Sequence, residues 1–260
     1  MASFHQNVIS KILRKILTAV LDGRSHLKRL KVQAMMMSAY SKPLPNLLSL
    51  DPGLLSQALV RLEEFSFDPN RNHFEDQSGT FSTVQLVSIF TAIEQTDNLK
   101  LKSLELPDWP CSNVPPELFG NALVRTETVD LGFNGVSRPQ VSSLFRKIAQ
   151  SEGIRLRNLD LKNVKISHIS PVIFSQATVK LQTLKAPGCN LTSEQLSAVL
   201  TQLSLVDDHK LRILDLSDND LSSVRTKTLV GGISGLERVE LKHTKLNIQQ
   251  KTGIYRMVAG

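Results

Sequence analysis

A spaced set of leucines recurs along most of this chain, and it constrains the fold more than any other feature of the sequence. Residues 211–221 read LRILDLSDNDL, which has the pattern LxxLxLxxNxL. The same frame begins again, with most of its leucines kept, at Leu101, Thr126, Leu156, Leu181 and Leu236. Weaker copies begin at Leu27 and Leu62. The sequence therefore predicts eight repeats, which bury their apolar faces by stacking on one another.

The six clear repeats follow one another at alternating spacings of 25 and 30 residues, so the full period is 55 residues. Helix-capping pairs keep the same period: Ser82 with Gln85, Ser137 with Gln140, Thr192 with Gln195, and Asn247 with Gln250. In such a pair the first side chain caps a helix and the glutamine reaches back to the cap. Proline favours the first helical position in the shorter repeats, at Pro52, Pro115/Pro116 and Pro171.

Each LxxLxL segment predicts a short parallel strand whose leucines face the interior, followed by a helix that returns the chain on the outer side. We expect an α/β solenoid, a horseshoe with an inner parallel sheet and outer helices, of about eight repeats in 55-residue double units. Small side chains at the turn after each strand should bond backbone groups; they are Asn70, Asn134, Cys189, Asn219 and Thr244. Both cysteines, Cys111 and Cys189, are interpreted as structural.

Residues 188–192, GCNLT, together with residues 211–221 resemble leucine-rich repeats of the ribonuclease-inhibitor type. Similar repeats occur in nucleotide-binding innate-immunity receptors and in Ran GTPase-activating protein. The resemblance covers residues 50–250 well and 8–49 loosely, and it implies a curved horseshoe. The 55-residue unit and the proline-entered helices depart from ribonuclease inhibitor itself. We expect one domain over 1–260, with a cap helix and a degenerate first repeat in 1–49 and regular repeats in 50–260.

Composition narrows the functional classes. The net charge of +7 lies entirely in residues 1–42, and the rest of the chain is neutral, which does not favour nucleic-acid binding. No apolar run is long enough to predict a membrane span. Two cysteines are too few for a disulfide framework. We therefore expect a cytoplasmic, monomeric protein without a cofactor or metal.

The N-terminal segment has one apolar stripe at helical spacing, formed by Val8, Ile9, Ile12, Leu13, Ile16, Leu17, Val20 and Leu21. Its LRKI sequence at 13–16 is similar to FRKI at 145–148, which favours a repeat helix that caps the first strand. Because Lys11, Arg14 and Lys15 flank the stripe, a mitochondrial presequence or an anionic-membrane contact is the alternative.

The outward position between the second and third leucines is acidic in five of six consecutive repeats: Glu105, Asp130, Asp160, Lys185, Asp215 and Glu240. Neighbouring strands lie about 4.8 Å apart, so these side chains form a ladder of like charge. The position after the first leucine alternates in charge: Lys102, Glu127, Arg157, Gln182, Arg212 and Glu237. The surface is thus either self-compensated and solvated or an acidic stripe that binds a basic partner.

Two further features lie beside this face. Phe133 is expected at the edge between sheet and loop, where an aromatic side chain can anchor a partner. Insertions near residues 33–49 and 68–80 follow two neighbouring strands and so should leave the same edge of the solenoid. They either contribute to binding or are irregular loops of decayed repeats.

The sequence lacks the catalytic spacings of phosphate loops, zinc peptidases and dinucleotide-binding folds. Gly231–Gly235 only superficially resembles a nucleophile elbow, and it falls where a short helix is expected. We predict a non-enzymatic scaffold that binds a protein partner through the concave sheet and adjoining loops. Its expected contact residues are Glu105, Asp130, Phe133, Arg157, Asp160, Arg212, Asp215 and Glu240. The alternative is a GTPase-activating regulator of a small GTPase.

The final repeat raises a separate question. The last predicted helix, near residues 250–258, is not followed by a dedicated polar cap, which terminal repeats normally need. Either Lys251 and Arg256 supply the cap, or the chain is a fragment.

Overall fold

In the part of the chain that the structure describes, eight strands form one parallel sheet, in the order in which they occur along the chain. The computed structural model describes residues 2–33, 49–68, 81–105, 111–132, 135–206 and 209–259. The strands are β1 (Arg29–Gln33), β2 (Glu64–Asp68), β3 (Ser103–Glu105), β4 (Thr128–Asp130), β5 (Asn158–Asp160), β6 (Thr183–Lys185), β7 (Ile213–Asp215) and β8 (Arg238–Glu240). Each is the predicted LxxLxL segment of one repeat, so the expectation of eight repeats is confirmed.

The register of the sheet follows the leucine pattern. One line of paired residues crosses all eight strands, through Leu30, Phe65, Leu104, Val129, Leu159, Leu184, Leu214 and Val239. These are the second apolar positions of the predicted repeats, and from β2 to β7 they are buried. Side chains alternate between the two faces of a strand. The residue before and the residue after each of these positions therefore point to the concave face of the sheet, away from the helices.

Helices alternate in length between successive repeats, as the 25- and 30-residue spacing predicts. The helices are α1 (Ala2–Leu21), α2 (Pro52–Leu59), α3 (Thr83–Gln95), α4 (Pro116–Leu123), α5 (Arg138–Gln150), α6 (Pro171–Thr178), α7 (Ser193–Leu205), α8 (Thr226–Ile233) and α9 (Ile248–Ala259). Pro52, Pro116 and Pro171 are first residues of 8-residue helices. The 13-residue helices α3, α5 and α7 follow the predicted capping residues Ser82, Ser137 and Thr192.

A single apolar cluster fills the space between the sheet and the helices, from Leu13 to Ile233. Each helix packs against the next one along the chain. Four buried phenylalanines from successive helices lie inside it, and they form two ring pairs. The ring centroids are 5.3 Å apart for Phe90 and Phe119, and 5.6 Å apart for Phe145 and Phe174. This packing between neighbours is what stabilises a unit that could not cover its own apolar face.

Four buried glutamines, each 55 residues after the one before, join neighbouring repeats; they are Gln85, Gln140, Gln195 and Gln250. In Gln195, Oε1 accepts a hydrogen bond from the N–H of Thr192 at 2.9 Å, as a capping box requires. Its Nε2 donates to the carbonyls of Ile166 (2.9 Å) and Ile169 (2.7 Å) in the preceding repeat. Gln250 does the same to Leu221 and Val224, each at 2.7 Å. The predicted capping boxes are confirmed, and the glutamines have a second role between repeats that the sequence pattern alone did not reveal.

The small side chains after the strands bond backbone groups, as predicted. Asn219 is buried; its Nδ2 donates to the Ala186 carbonyl at 2.8 Å and its Oδ1 accepts from the Leu191 N–H at 3.0 Å. The Cys189 thiol donates to the Leu161 carbonyl at 3.0 Å. The Thr244 hydroxyl donates to Leu241 at 2.7 Å. Asn70 and Asn134 lie outside the described residues.

Helix α1 packs against α2, with Leu13, Leu17 and Val20 buried in the common apolar cluster. Ile12, a member of the predicted stripe, instead leaves 50% of its surface exposed. These contacts are those of a repeat helix at the N-terminal end of the stack. In the part of the chain that the structure describes, no helix has the combination of length and apolar character needed to span a membrane.

Candidate protein-binding surface

The acidic side chains predicted for the concave face lie in one row across the sheet. Glu105, Asp130 and Asp160 are paired in register on β3, β4 and β5. The row continues through Lys185, Asp215 and Glu240 on β6 to β8. We refer to these six residues as the acidic row. Because its three N-terminal members stand on adjacent strands, their carboxylates repel each other by roughly 1 kcal/mol per pair in water.

The three aspartates of the acidic row also have a local structural role. Oδ1 of Asp130 accepts a hydrogen bond from the N–H of Gly132 at 2.7 Å. Asp160 and Asp215 make the same bond to the N–H groups of Lys162 (3.1 Å) and Ser217 (2.9 Å). Each carboxylate therefore satisfies the backbone just after its strand, a function that aspartate and asparagine share. A change to asparagine removes the charge and keeps this acceptor, whereas a change to lysine removes both.

Neighbouring cations compensate two carboxylates of the acidic row, Asp160 and Glu240. Lys185 Nζ lies 3.6 Å from Asp160 Oδ2. Glu240 pairs with Arg238 at 2.7 Å and with Lys242 at 3.4 Å. The Arg238 hydrogen bond, followed by that of Lys242, lowers the pKa of Glu240. Glu105, by contrast, makes no ion pair among the described residues.

The flanking row of alternating charge makes one ion pair within itself and two with charged residues just outside it. Lys102 lies 3.5 Å from Glu63, and Arg212 lies 3.6 Å from Glu237. Glu127 pairs with Arg155 at 3.2 Å. Among the described residues, the cations that reach the acidic row are Lys185, which is a member of it, and Arg238 and Lys242, and none of them belongs to the flanking row. Of the two predicted contact arginines in this row, Arg212 is paired and Arg157 is exposed without an ion pair among the described residues.

A row of small neutral side chains borders the acidic row on the same strands, and sequence reasoning missed it. It consists of Ser103, Thr128, Asn158 and Thr183 on β3 to β6. All four are partly exposed, and Asn158 Nδ2 donates to the Thr128 hydroxyl at 3.1 Å. The signal was available in the residue before the second leucine of each repeat. Together the two rows make a polar surface without bulky side chains, where the chain of a partner can come close to the sheet.

The remaining predicted elements of the site are Phe133 and the two insertions. Apart from the residues at the margins of the insertions, they lie outside the described residues. Among the residues that are described, no cluster of three or more histidine, cysteine or carboxylate side chains could hold a metal ion. Gly231, Gly232 and Ile233 belong to α8, as expected for a segment that only resembles a nucleophile elbow.

Comparison with known proteins agrees with the repeat architecture. A family model described as Leucine Rich Repeat matches residues 210–236, which contain β7 and α8. The chain has the architecture of a leucine-rich-repeat solenoid. It is also similar to the human protein PRAME family member 12, with 32% identity over 92 residues that cover 34% of this chain. The chain spans only 19% of the length of that protein.

Proposed function

We propose that this leucine-rich-repeat protein is a non-enzymatic scaffold that binds a basic segment of a protein partner on its concave sheet. The observation that carries the proposal is the in-register row of Glu105, Asp130 and Asp160 on adjacent strands. Leucine-rich-repeat solenoids offer extended concave surfaces that suit protein partners. Complementary charge on such a surface would set both the partner and the rate of encounter.

The distribution of cations supports including Glu105 on β3 in this contact. Lys185 already offsets Asp160, and Arg238 and Lys242 offset Glu240. A basic partner gains more by approaching Glu105, which makes no ion pair among the described residues. The neutral row of Ser103, Thr128 and Asn158 would accommodate the backbone of the partner beside its cations. Phe133 and the two insertions remain predicted contributors at the edge of the same face.

Site-specific photocross-linking tests where a partner binds. A photoreactive amino acid at Thr128, in the neutral row, should capture a protein from cell extract. The same amino acid at Val172, exposed on helix α6 on the outer side, is the matched control. A partner captured at position 128 and absent at position 172 supports the proposal. Equal capture at both positions, or capture at 172 alone, would move the binding site off the concave face.

Two finer interpretations rest on resemblance. The alternating repeat lengths support placing these repeats near the ribonuclease-inhibitor type. Activation of a small GTPase remains the alternative prediction for function, and no contact described here favours it over simple binding. A GTP-hydrolysis assay with a panel of small GTPases separates them, because a scaffold that only binds leaves the hydrolysis rate unchanged.

A further inference from the structure

The acidic row sets a spacing that the charges of a partner have to match. Neighbouring strands of a sheet lie about 4.8 Å apart, and the row takes one residue from each strand, in register. From β3 to β7 its members are three carboxylates, one ammonium group and one further carboxylate: Glu105, Asp130, Asp160, Lys185 and Asp215. A segment that crosses these strands and pairs with every member must present a charged side chain at each strand.

The spacing of the acidic row is close to the repeat of one face of an α-helix. Alternating steps of three and four residues bring a helical side chain back to that face about every 5.3 Å. Over four strand gaps such a helix falls out of step by about 2 Å, which a long lysine or arginine side chain can span. An extended segment repeats about every 6.7 Å and is out of step by more than one strand over the same length. A polyproline helix repeats about every 9.3 Å and meets only alternate strands, so it cannot pair with both Asp160 and Lys185.

The neutral row beside the acidic row leaves room for a helix. Its members on β3 to β6 have short side chains, and Ile213 continues it on β7. An α-helix with its side chains is about 10–12 Å across, whereas alternate residues of one strand lie about 6.7 Å apart. A helix centred on the acidic row therefore covers the neutral row as well. Ile213 is partly exposed and offers an apolar contact to one flank of that helix.

We propose that the basic segment of the partner is an α-helix that crosses the strands, with one charged side chain facing each member of the acidic row from β3 to β7. Its charges are basic at β3, β4, β5 and β7 and acidic at β6, opposite Lys185. The Lys185 side chain is 52% exposed, so an acidic residue can reach it. This inference rests on the proposed concave-face function, to which it adds the conformation and the charge order of the partner segment.

A designed peptide of about 18 residues, long enough to form an isolated helix, tests this conformation. It carries lysine at positions 1, 5, 8 and 15, glutamate at position 12, and alanine or glutamine elsewhere, which places all five charges on one face. Fluorescence anisotropy at low salt measures its binding to the purified chain. Proline in place of the alanine at position 10 should weaken binding about tenfold or more, because it breaks the helix and keeps every charge. A peptide of the same composition with its charges distributed around the helix should be weakened to a similar extent.

Double-mutant cycles measure the length of the bound peptide between two charges. One cycle combines Glu105→Gln with glutamine at peptide position 1, and the other combines Lys185→Gln with glutamine at peptide position 12. Each matched pair should show a coupling of about threefold, and the crossed pairs should show none. Glu105 and Lys185 are three strand gaps apart, about 14 Å. The peptide covers about 16 Å between the two positions as a helix but about 36 Å when extended.

Lys227→Gln, at an exposed position of α8 on the outer side, removes the same charge as Lys185→Gln and should leave the affinity unchanged. Circular dichroism verifies that each variant is folded. A peptide that does not bind, binding that proline does not weaken, or a matched pair without coupling would overturn the helix. Capture of a partner at Thr128 and not at Val172, together with any of these results, would retain the concave-face function and reject only the helical partner. Failure of both experiments would reject both proposals.

Discussion

Single buried polar residues determine how firmly one repeat holds the next. The four buried glutamines, which we call the glutamine ladder, are Gln85, Gln140, Gln195 and Gln250. In each of them, Oε1 accepts a hydrogen bond at the start of its own helix and Nε2 donates to a carbonyl of the preceding repeat. In Gln195 these bonds reach Thr192, Ile166 and Ile169, all through backbone atoms. Because the two carbonyl groups are buried beside the glutamine, they cannot form hydrogen bonds with water if the amide is removed. A polar side chain at this position is therefore worth more to stability than an apolar one of the same volume.

We expect Gln195→Leu to lower the free energy of unfolding by about 3 kcal/mol, since it leaves buried N–H and C=O groups without partners. Urea unfolding followed by circular dichroism measures this. Gln202→Leu on the same helix is the matched control, because its half-buried side chain takes no part in the ladder. A loss as large in Gln202→Leu as in Gln195→Leu would show that the effect arises from the helix and not from the ladder.

Cys189 illustrates a buried residue whose chemistry is suppressed. Desolvation by burial, the largest cause, raises the pKa of its thiol to about 12, from 9.0 in the unfolded chain. The thiol stays protonated in the folded state while the unfolded thiol ionises above pH 9. Its contribution to stability is therefore complete below pH 9 and is lost progressively towards pH 12.

Raising the pH from 8 to 10 should cost about 1 kcal/mol of stability through this thiol. Cys189→Ala should show a correspondingly smaller decrease over the same interval, in paired urea titrations. Ellman's reagent at pH 8 should modify neither Cys189 nor buried Cys111 until the chain unfolds. Rapid modification of the native protein would contradict the burial of both thiols.

At the scale of elements, the distance between neighbouring helices is set by small residues. In α8, a Cβ atom added to Gly232 would lie 2.5 Å from the carbonyl oxygen of Leu200 in α7. The corresponding atom on Gly231 would lie 3.4 Å from Ser204 Cβ, which is ordinary contact. Gly232 therefore permits the close packing of α8 on α7, whereas Gly231 does not limit how closely the two helices approach.

We expect Gly232→Ala to destabilise the protein by about 2 kcal/mol, because a backbone carbonyl cannot move aside without shifting α7. Gly231→Ala should be neutral or stabilise by up to about 1 kcal/mol through its helix propensity. Thermal unfolding of the two variants side by side measures the difference. Similar melting temperatures for both would contradict the close approach at Gly232.

Elements of this kind were predictable from sequence to different degrees. The strands followed from the leucine frame, and the long helices from the Ser82, Ser137 and Thr192 capping boxes, because both signals are local. The ladder bonds of Gln195 were not predictable, since they join residues 26 and 29 positions apart through backbone carbonyls. The neutral row and the backbone bonds of the aspartates were not predicted. An aspartate on an exposed strand can act through its charge, through a hydrogen bond to the backbone two residues on, or both, and its presence alone does not distinguish these roles.

At the scale of the whole molecule, a stack of repeats presents two different kinds of surface. The concave sheet repeats one position at every strand, so a partner meets a row of side chains about 4.8 Å apart. At β8, the last strand described, the interior-facing Leu236, Val239 and Leu241 are only partly buried. The concave position was predictable, because strand register follows from the repeat. The exposure of Tyr255 and Val258 required the helix packing as well.

The most direct test of the account is the affinity of the captured partner for the native chain and for a variant carrying Asp130→Asn, Asp160→Asn and Asp215→Asn. Asparagine keeps the backbone bonds that end the strands, so the fold should persist while three charges disappear. We predict a fall in affinity of about tenfold or more at low salt, and a smaller difference between the two proteins at high salt. Unchanged affinity of a folded triple variant would contradict the claim that the acidic row binds the partner.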